Sequence, residues 1–140
     1  MDWKKIILAA VIIFVALALT EFIIHSGILS GAYKAAEPLG KFRPAGEIMC
    51  YIWVKIIIGI VFSFFFVFIF AKGYEGKGLM EGIRYGIYIT CFFTFVMAYT
   101  QFVIYGIPYS FVWYWIISGL IQNVIFGIIA ALIYKPKWHK

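Results

Sequence analysis

The chain has 140 residues, 65% of them hydrophobic and 21% aromatic, with a mean hydropathy of +1.00. That composition excludes an ordinary water-soluble domain, in which apolar residues make up about half of the chain. The net charge of +6 points to membrane topology and lipid headgroups rather than to nucleic acid, because most basic residues flank apolar runs.

Asp2-Trp3-Lys4-Lys5 leads into an apolar run that starts at Ile6. Ala16-Leu17-Ala18 imitates the cleavage site of a secretory signal, yet the run continues past it to Leu29 without a polar break. A first transmembrane helix over about 6–29 is therefore expected, since about 20 apolar residues suffice to cross the hydrocarbon. Ser30 to Glu47, carrying Gly31, Pro38, Gly40, Pro44 and Gly46, reads as the longest polar connection. The second span is expected over about 48–70 and ends in phenylalanines suited to packing and lipid contact. Ala71 to Gly82, with Gly73, Gly76 and Gly78 among Lys72, Glu75, Lys77 and Glu81, reads as a tight turn. Its Gly-Lys-Gly lacks the spacing and the preceding strand of a phosphate loop. A third span over about 83–104 closes at Tyr105-Gly106-Ile107-Pro108, because the residue before a proline avoids helix. A fourth follows over about 109–134, and Lys135 to Lys140 end the chain in basic and aromatic residues. The fold class expected is all-α, a single domain forming an antiparallel bundle of four transmembrane helices.

Basic residues set the orientation. Lys4, Lys5, Lys72, Lys77, Arg84, Lys135, Lys137 and Lys140 share the side of the two termini, against Lys34, Lys41 and Arg43 opposite. Both termini are thus expected in the cytoplasm, with the chain in the inner (cytoplasmic) membrane. Trp3 and Trp138 would mark the inner interface, and Trp113, Trp115 and Trp53 the outer one. Cys50 and Cys91 are too few for a disulfide framework and come out about 18 Å apart in depth at 1.5 Å per residue, so free, buried thiols are expected.

Ionisable groups inside a span are costly and mark candidate sites. Counting 1.5 Å per residue, Glu21 lies about 22 Å above Ile6, and Lys55 lies about 22 Å above Phe70. An intramembrane Glu21–Lys55 ion pair is the sharpest expectation. Gln101 and Ser118 fall at about 27 and 24 Å, and Tyr51 heads the stripe Tyr51, Lys55, Gly59, Ser63 on the second helix. The third helix offers Gly86, Thr90, Thr94, Met97 and Gln101 on one face, and the fourth offers Ser118, Gly119, Gln122, Asn123, Gly127 and Ala131. Such small and polar stripes are expected to face inward, where they let helices approach and bond across. His25, one turn from Glu21, is expected near the outer headgroups. With Met49 and Cys50 it forms no spaced ligand motif, so no metal or other cofactor is expected.

Lys72-Gly73-Tyr74-Glu75-Gly76-Lys77-Gly78, Glu81-Gly82-Ile83-Arg84-Tyr85-Gly86 and Tyr105-Gly106-Ile107-Pro108 give the chain a layout that resembles small bacterial four-helix integral membrane proteins of no assigned activity. That resemblance implies the fold alone. Glu21 in the first helix is also similar to the glutamate with which small multidrug exporters exchange protons for cationic drugs. Here, however, Lys55 competes for it and the surrounding family motif is missing. With no nucleophile motif and no paired carboxylates, the expected function is non-enzymatic: an accessory or structural subunit that self-associates or packs with other membrane subunits in the lipid bilayer. The alternatives are a small oligomeric proton-coupled or ion transporter using Glu21, and a lipid-, quinone- or haem-binding membrane protein.

Overall fold

The computed structural model describes residues 1–135. The basic residues Lys137 and Lys140 and the interfacial Trp138 of the sequence reading lie outside them. Among the described residues the chain is entirely helical, and four helices are long and apolar enough to cross a membrane: Trp3–Ile28, Ile52–Lys72, Leu79–Tyr105 and Tyr109–Ile133, of 26, 21, 27 and 25 residues. The chain is a multi-pass membrane protein.

Helix α1 (Trp3–Glu21) starts where the Asp2 carboxylate accepts the Lys5 amide, and it passes directly into a π-helical stretch, Phe22–Ile28. The span ends at Ile28, one residue before the expected end. The expected connection is itself helical in part: α2 (Ser30–Ala36), a 3-10 turn (Glu37–Leu39) and α3 (Ala45–Cys50). The second span, α4 (Ile52–Lys72), begins later than expected because Tyr51, at φ −105° and ψ 15°, breaks the backbone after α3. The third consists of α5 (Leu79–Ile89), a π turn (Thr90–Thr94) and α6 (Phe95–Tyr105). It begins before the expected Ile83 because the turn is confined to 73–78, with Gly76 and Gly78 at positive φ. Helix α7 (Tyr109–Ile133) is the fourth span.

Two features hold these helices. The first is a seam between α5 and α7 in which backbone meets backbone. A Cβ on Gly82 would strike the Gly127 carbonyl, one on Gly127 the Gly82 carbonyl, and one on Gly86 the Asn123 carbonyl. Only residues without side chains permit that approach. The second is an apolar core at the end of the molecule that holds the N-terminus and the 73–78 turn. There Ile6, Ala9 and Ile13 of α1 meet Phe66, Val67 and Phe70 of α4 and Phe126, Ala130 and Ala131 of α7. Trp3 stacks on Phe68, Tyr74 packs edge-on against Tyr134, and the Lys5 ammonium reaches the Lys135 carbonyl, so this end is closed. At the opposite end Ala36, Ile107 and Phe111 form a smaller cluster under Tyr33, Phe42 and Trp115.

Exposure departs from the sequence reading at several points. Cys50 and Cys91 are free but exposed, not buried; Cys91 falls in the π turn on the side away from α7, whose face is met by Thr90 and Thr94. Met97 is 42% exposed, and Ala98 takes the buried position instead. The wider π turn explains this, since a run with i→i+5 bonds rotates the following residues against a regular α-helix and leaves Thr90, Thr94 and Ala98 facing α7.

Gly127→Ala is expected to lower stability in detergent micelles by at least about 2 kcal/mol, as backbone at the seam has no room to yield. Gly31→Ala, which meets nothing within 4 Å, is expected to leave the unfolding midpoint unchanged.

Candidate functional site

Glu21 closes α1 at its last regular turn, and His25, four residues on in the π stretch, lies next along the same helix face. His25 Nε2 lies 3.5 Å from Glu21 Oε1. The same oxygen accepts from Gln122 Nε2 at 3.3 Å, and that amide also donates to Thr20 Oγ1 at 2.9 Å. Lys55 Nζ stands 3.7 Å from Glu21 Oε2. That distance makes an ion pair without a hydrogen bond. The pair is not enclosed, because the Glu21 side chain is 31% exposed and that of Lys55 48%.

A polar chain continues from His25 away from the closed end. His25 Nδ1 lies 2.9 Å from the Tyr33 hydroxyl, which accepts from Trp115 Nε1 at 2.8 Å. An indole N–H can only donate, so the Tyr33 proton is free for His25 Nδ1. In the neutral imidazole the remaining proton then sits on Nε2, directed at Glu21. Burial raises the Tyr33 phenol above its usual range, an effect larger than the opposing bond from Trp115.

A separate buried group lies deeper between the third and fourth spans. Asn123 Nδ2 donates to both Thr90 Oγ1 and Thr94 Oγ1 at 3.1 Å, and Thr90 passes its own proton to the Gly86 carbonyl at 2.9 Å. Buried Ser63 has no partner for its hydroxyl among the described residues.

The expected layer is therefore only partly assembled. Glu21, Lys55 and His25 come together, and His25 is held by partners rather than left to headgroups. Gln101 makes no hydrogen bond with them among the described residues. Ser118 returns its hydroxyl to the Tyr114 and Trp115 carbonyls of its own helix, at 2.7 and 3.2 Å. Tyr51 stands outside, at the α3–α4 break, under the Arg43 guanidinium 4.5 Å from its ring centroid. Lys55 does not face a closed interior as its stripe suggested, and only Gly59 and Ser63 of that stripe are buried. Gln122, Thr20, Tyr33 and Trp115 are the partners that depth counting missed. Side chains lean toward the N-terminus of their own helix, so Gln122 reaches one turn beyond its backbone level.

At the closed end Glu81 lies in the first turn of α5 and is 4% exposed. Its carboxylate accepts the Glu75 amide at 2.6 Å and the Lys77 amide at 2.9 Å, which fixes the glycine-rich turn from within. Outside it, Glu75 joins Lys77 at 2.5 Å and Arg84 at 2.9 Å. No protein family, curated protein or solved structure matches the chain.

The Lys77 and Arg84 partners hold the Glu75 carboxyl below its ordinary range. A lowered folded-state value gives the turn stability that is present above the unfolded value and lost as pH falls through the folded one. The protection of amides in residues 73–78, taken relative to their intrinsic exchange at each pH, is accordingly expected to fall on acidification below the normal carboxylate range, and Glu75→Gln to remove that part of the response.

Proposed function

We propose that the chain is a non-enzymatic subunit of the cytoplasmic membrane, an antiparallel four-helix bundle with both termini in the cytoplasm that packs with itself or with other membrane subunits. One observation carries this reading: the polar side chains of the spans join helix to helix. Asn123 ties the fourth span to the third, Gln122 ties it to the first, and Lys55 ties the second to Glu21. Between helices in lipid such bonds are each worth about 0.6 to 2 kcal/mol. The gathering of Lys4, Lys5, Lys72, Lys77 and Arg84 at the end that holds the N-terminus supports a cytoplasmic location for that end.

Substitution tests the assignment. Glu21→Gln and Lys55→Met are each expected to cost on the order of 1 kcal/mol of stability, a modest value for a half-exposed pair, and the double variant is expected to be better tolerated than either. Wild-type protein extracted gently from native membranes is expected to retain a second chain or a partner subunit. In proteoliposomes it is expected to move neither protons nor solutes across an imposed proton gradient. A monomeric protein with flux abolished by Glu21→Gln would instead be a transporter.

A further inference from the structure

We propose that His25 is a proton-operated latch on α2: a proton taken up from the side of the membrane that holds the 29–51 connection turns its Nδ1 from an acceptor into a donor and detaches Tyr33 from Trp115 of the fourth span. One hydrogen-bonded chain makes this possible. Trp115 Nε1 donates to the Tyr33 hydroxyl at 2.8 Å, that hydroxyl lies 2.9 Å from His25 Nδ1, and His25 Nε2 lies 3.5 Å from Glu21 Oε1. An indole N–H can only donate, so every proton of the chain points one way, from Trp115 through Tyr33 and His25 to the carboxylate. Among the described residues the Tyr33 hydroxyl has no third partner. The fourth span, α2 and the first span are joined by it in series.

Protonation reverses the middle link. An imidazolium carries a proton on both nitrogens, so Nδ1 no longer accepts. Tyr33 then stands between two donors, and its own proton has no acceptor. A half-buried hydroxyl left in that state is costly, so one of its bonds must yield. A charged donor holds an oxygen about twice as strongly as a neutral one. The imidazolium therefore keeps the Tyr33 oxygen, and the neutral indole gives it up. On its other nitrogen the same proton completes an ion pair with Glu21.

The surroundings of His25 suit a single titration. Glu21 faces it from its own span and favours the proton, Lys55 of the second span stands behind Glu21 and opposes it, and α2 presents the Tyr33 phenol. The fourth span offers only the neutral Gln122 and Trp115. His25 is three residues from the end of its span and its side chain is 28% exposed, so a proton reaches it from that side. Helix α2 is placed to respond, because seven residues are too few to hold a helix in water without tertiary contacts. Once the Trp115 bond is lost, Tyr33 is held to the fourth span only by the packing of its ring on Phe111, at 5.2 Å between centroids.

The test compares the full chain in lipid nanodiscs at about pH 8 and about pH 5.5, which bracket the usual titration of an imidazole. Two quantities are read: the protection of the Ser30–Ala36 amides relative to their intrinsic exchange at each pH, and the indole N–H resonance of Trp115. On acidification the protection is expected to fall about fivefold, the weight of one hydrogen bond, and the indole proton to move upfield. His25→Gln, whose amide can accept from Tyr33 and takes up no proton, is expected to stay protected at both pH values. Tyr33→Phe and Trp115→Phe each lack the bond from the start and are expected to show the low protection at both. Unchanged protection while the His25 ring resonances report a bound proton would overturn the proposal, as would a His25 that takes up no proton over this range. So would a fall that persists in His25→Gln, or one of undiminished size in Trp115→Phe or Tyr33→Phe.

Discussion

In hydrocarbon a polar side chain has no water to bond, so its partner must come from its own backbone or from another helix. The arrangement of this chain follows from that constraint. Thr100 and Ser118 turn back on the carbonyls one turn earlier and link nothing. Asn123 and Gln122, whose amides carry two donors each, satisfy themselves only by reaching a neighbouring span, and they fix the fourth span against the third and the first. Helix α7 is central because it carries these two amides side by side with Gly119 and Gly127.

The glycine seam and the polar links act at different levels of the same helix. Gly82 and Gly127 bring two backbones together where no side chain intervenes, and the aromatic core beside them closes one end. Toward the other end contact passes from packed rings to charged and hydrogen-bonded groups, with Glu21 in the middle and Tyr33 and Trp115 above it. Packing thus dominates where the molecule is shut, and polar chemistry dominates where it opens. The cluster around Glu21 is accessible because it sits at that transition.

Much of this was legible in the sequence, and the reasons for the rest are local. The spans follow from runs of apolar residues longer than the hydrocarbon is thick. Equal rise per residue puts Glu21 and Lys55 at one depth, and the two lie 3.7 Å apart. Depth carries no information about azimuth or about the reach of a side chain, so it admits Gln101 to the layer and passes over Gln122 and Thr20. Tyr33 lies in a glycine- and proline-punctuated connection, and even a helix continued through Ala32-Tyr33-Lys34 does not reveal that α2 returns it over His25. The two π stretches have no signature in a 3.6-residue period, and the second decides that Ala98 rather than Met97 is buried.

The lengths of the spans have a further consequence. The first and third, which contain the π stretches, are 26 and 27 residues long, whereas the second has 21. At 1.5 Å per residue the second matches a hydrocarbon layer of about 30 Å, and the other two exceed it by several ångströms. Long spans meet such mismatch by tilting, while a matched one stands upright. The first and third spans are therefore expected to lean more than the second, so a change in bilayer thickness acts on them unequally.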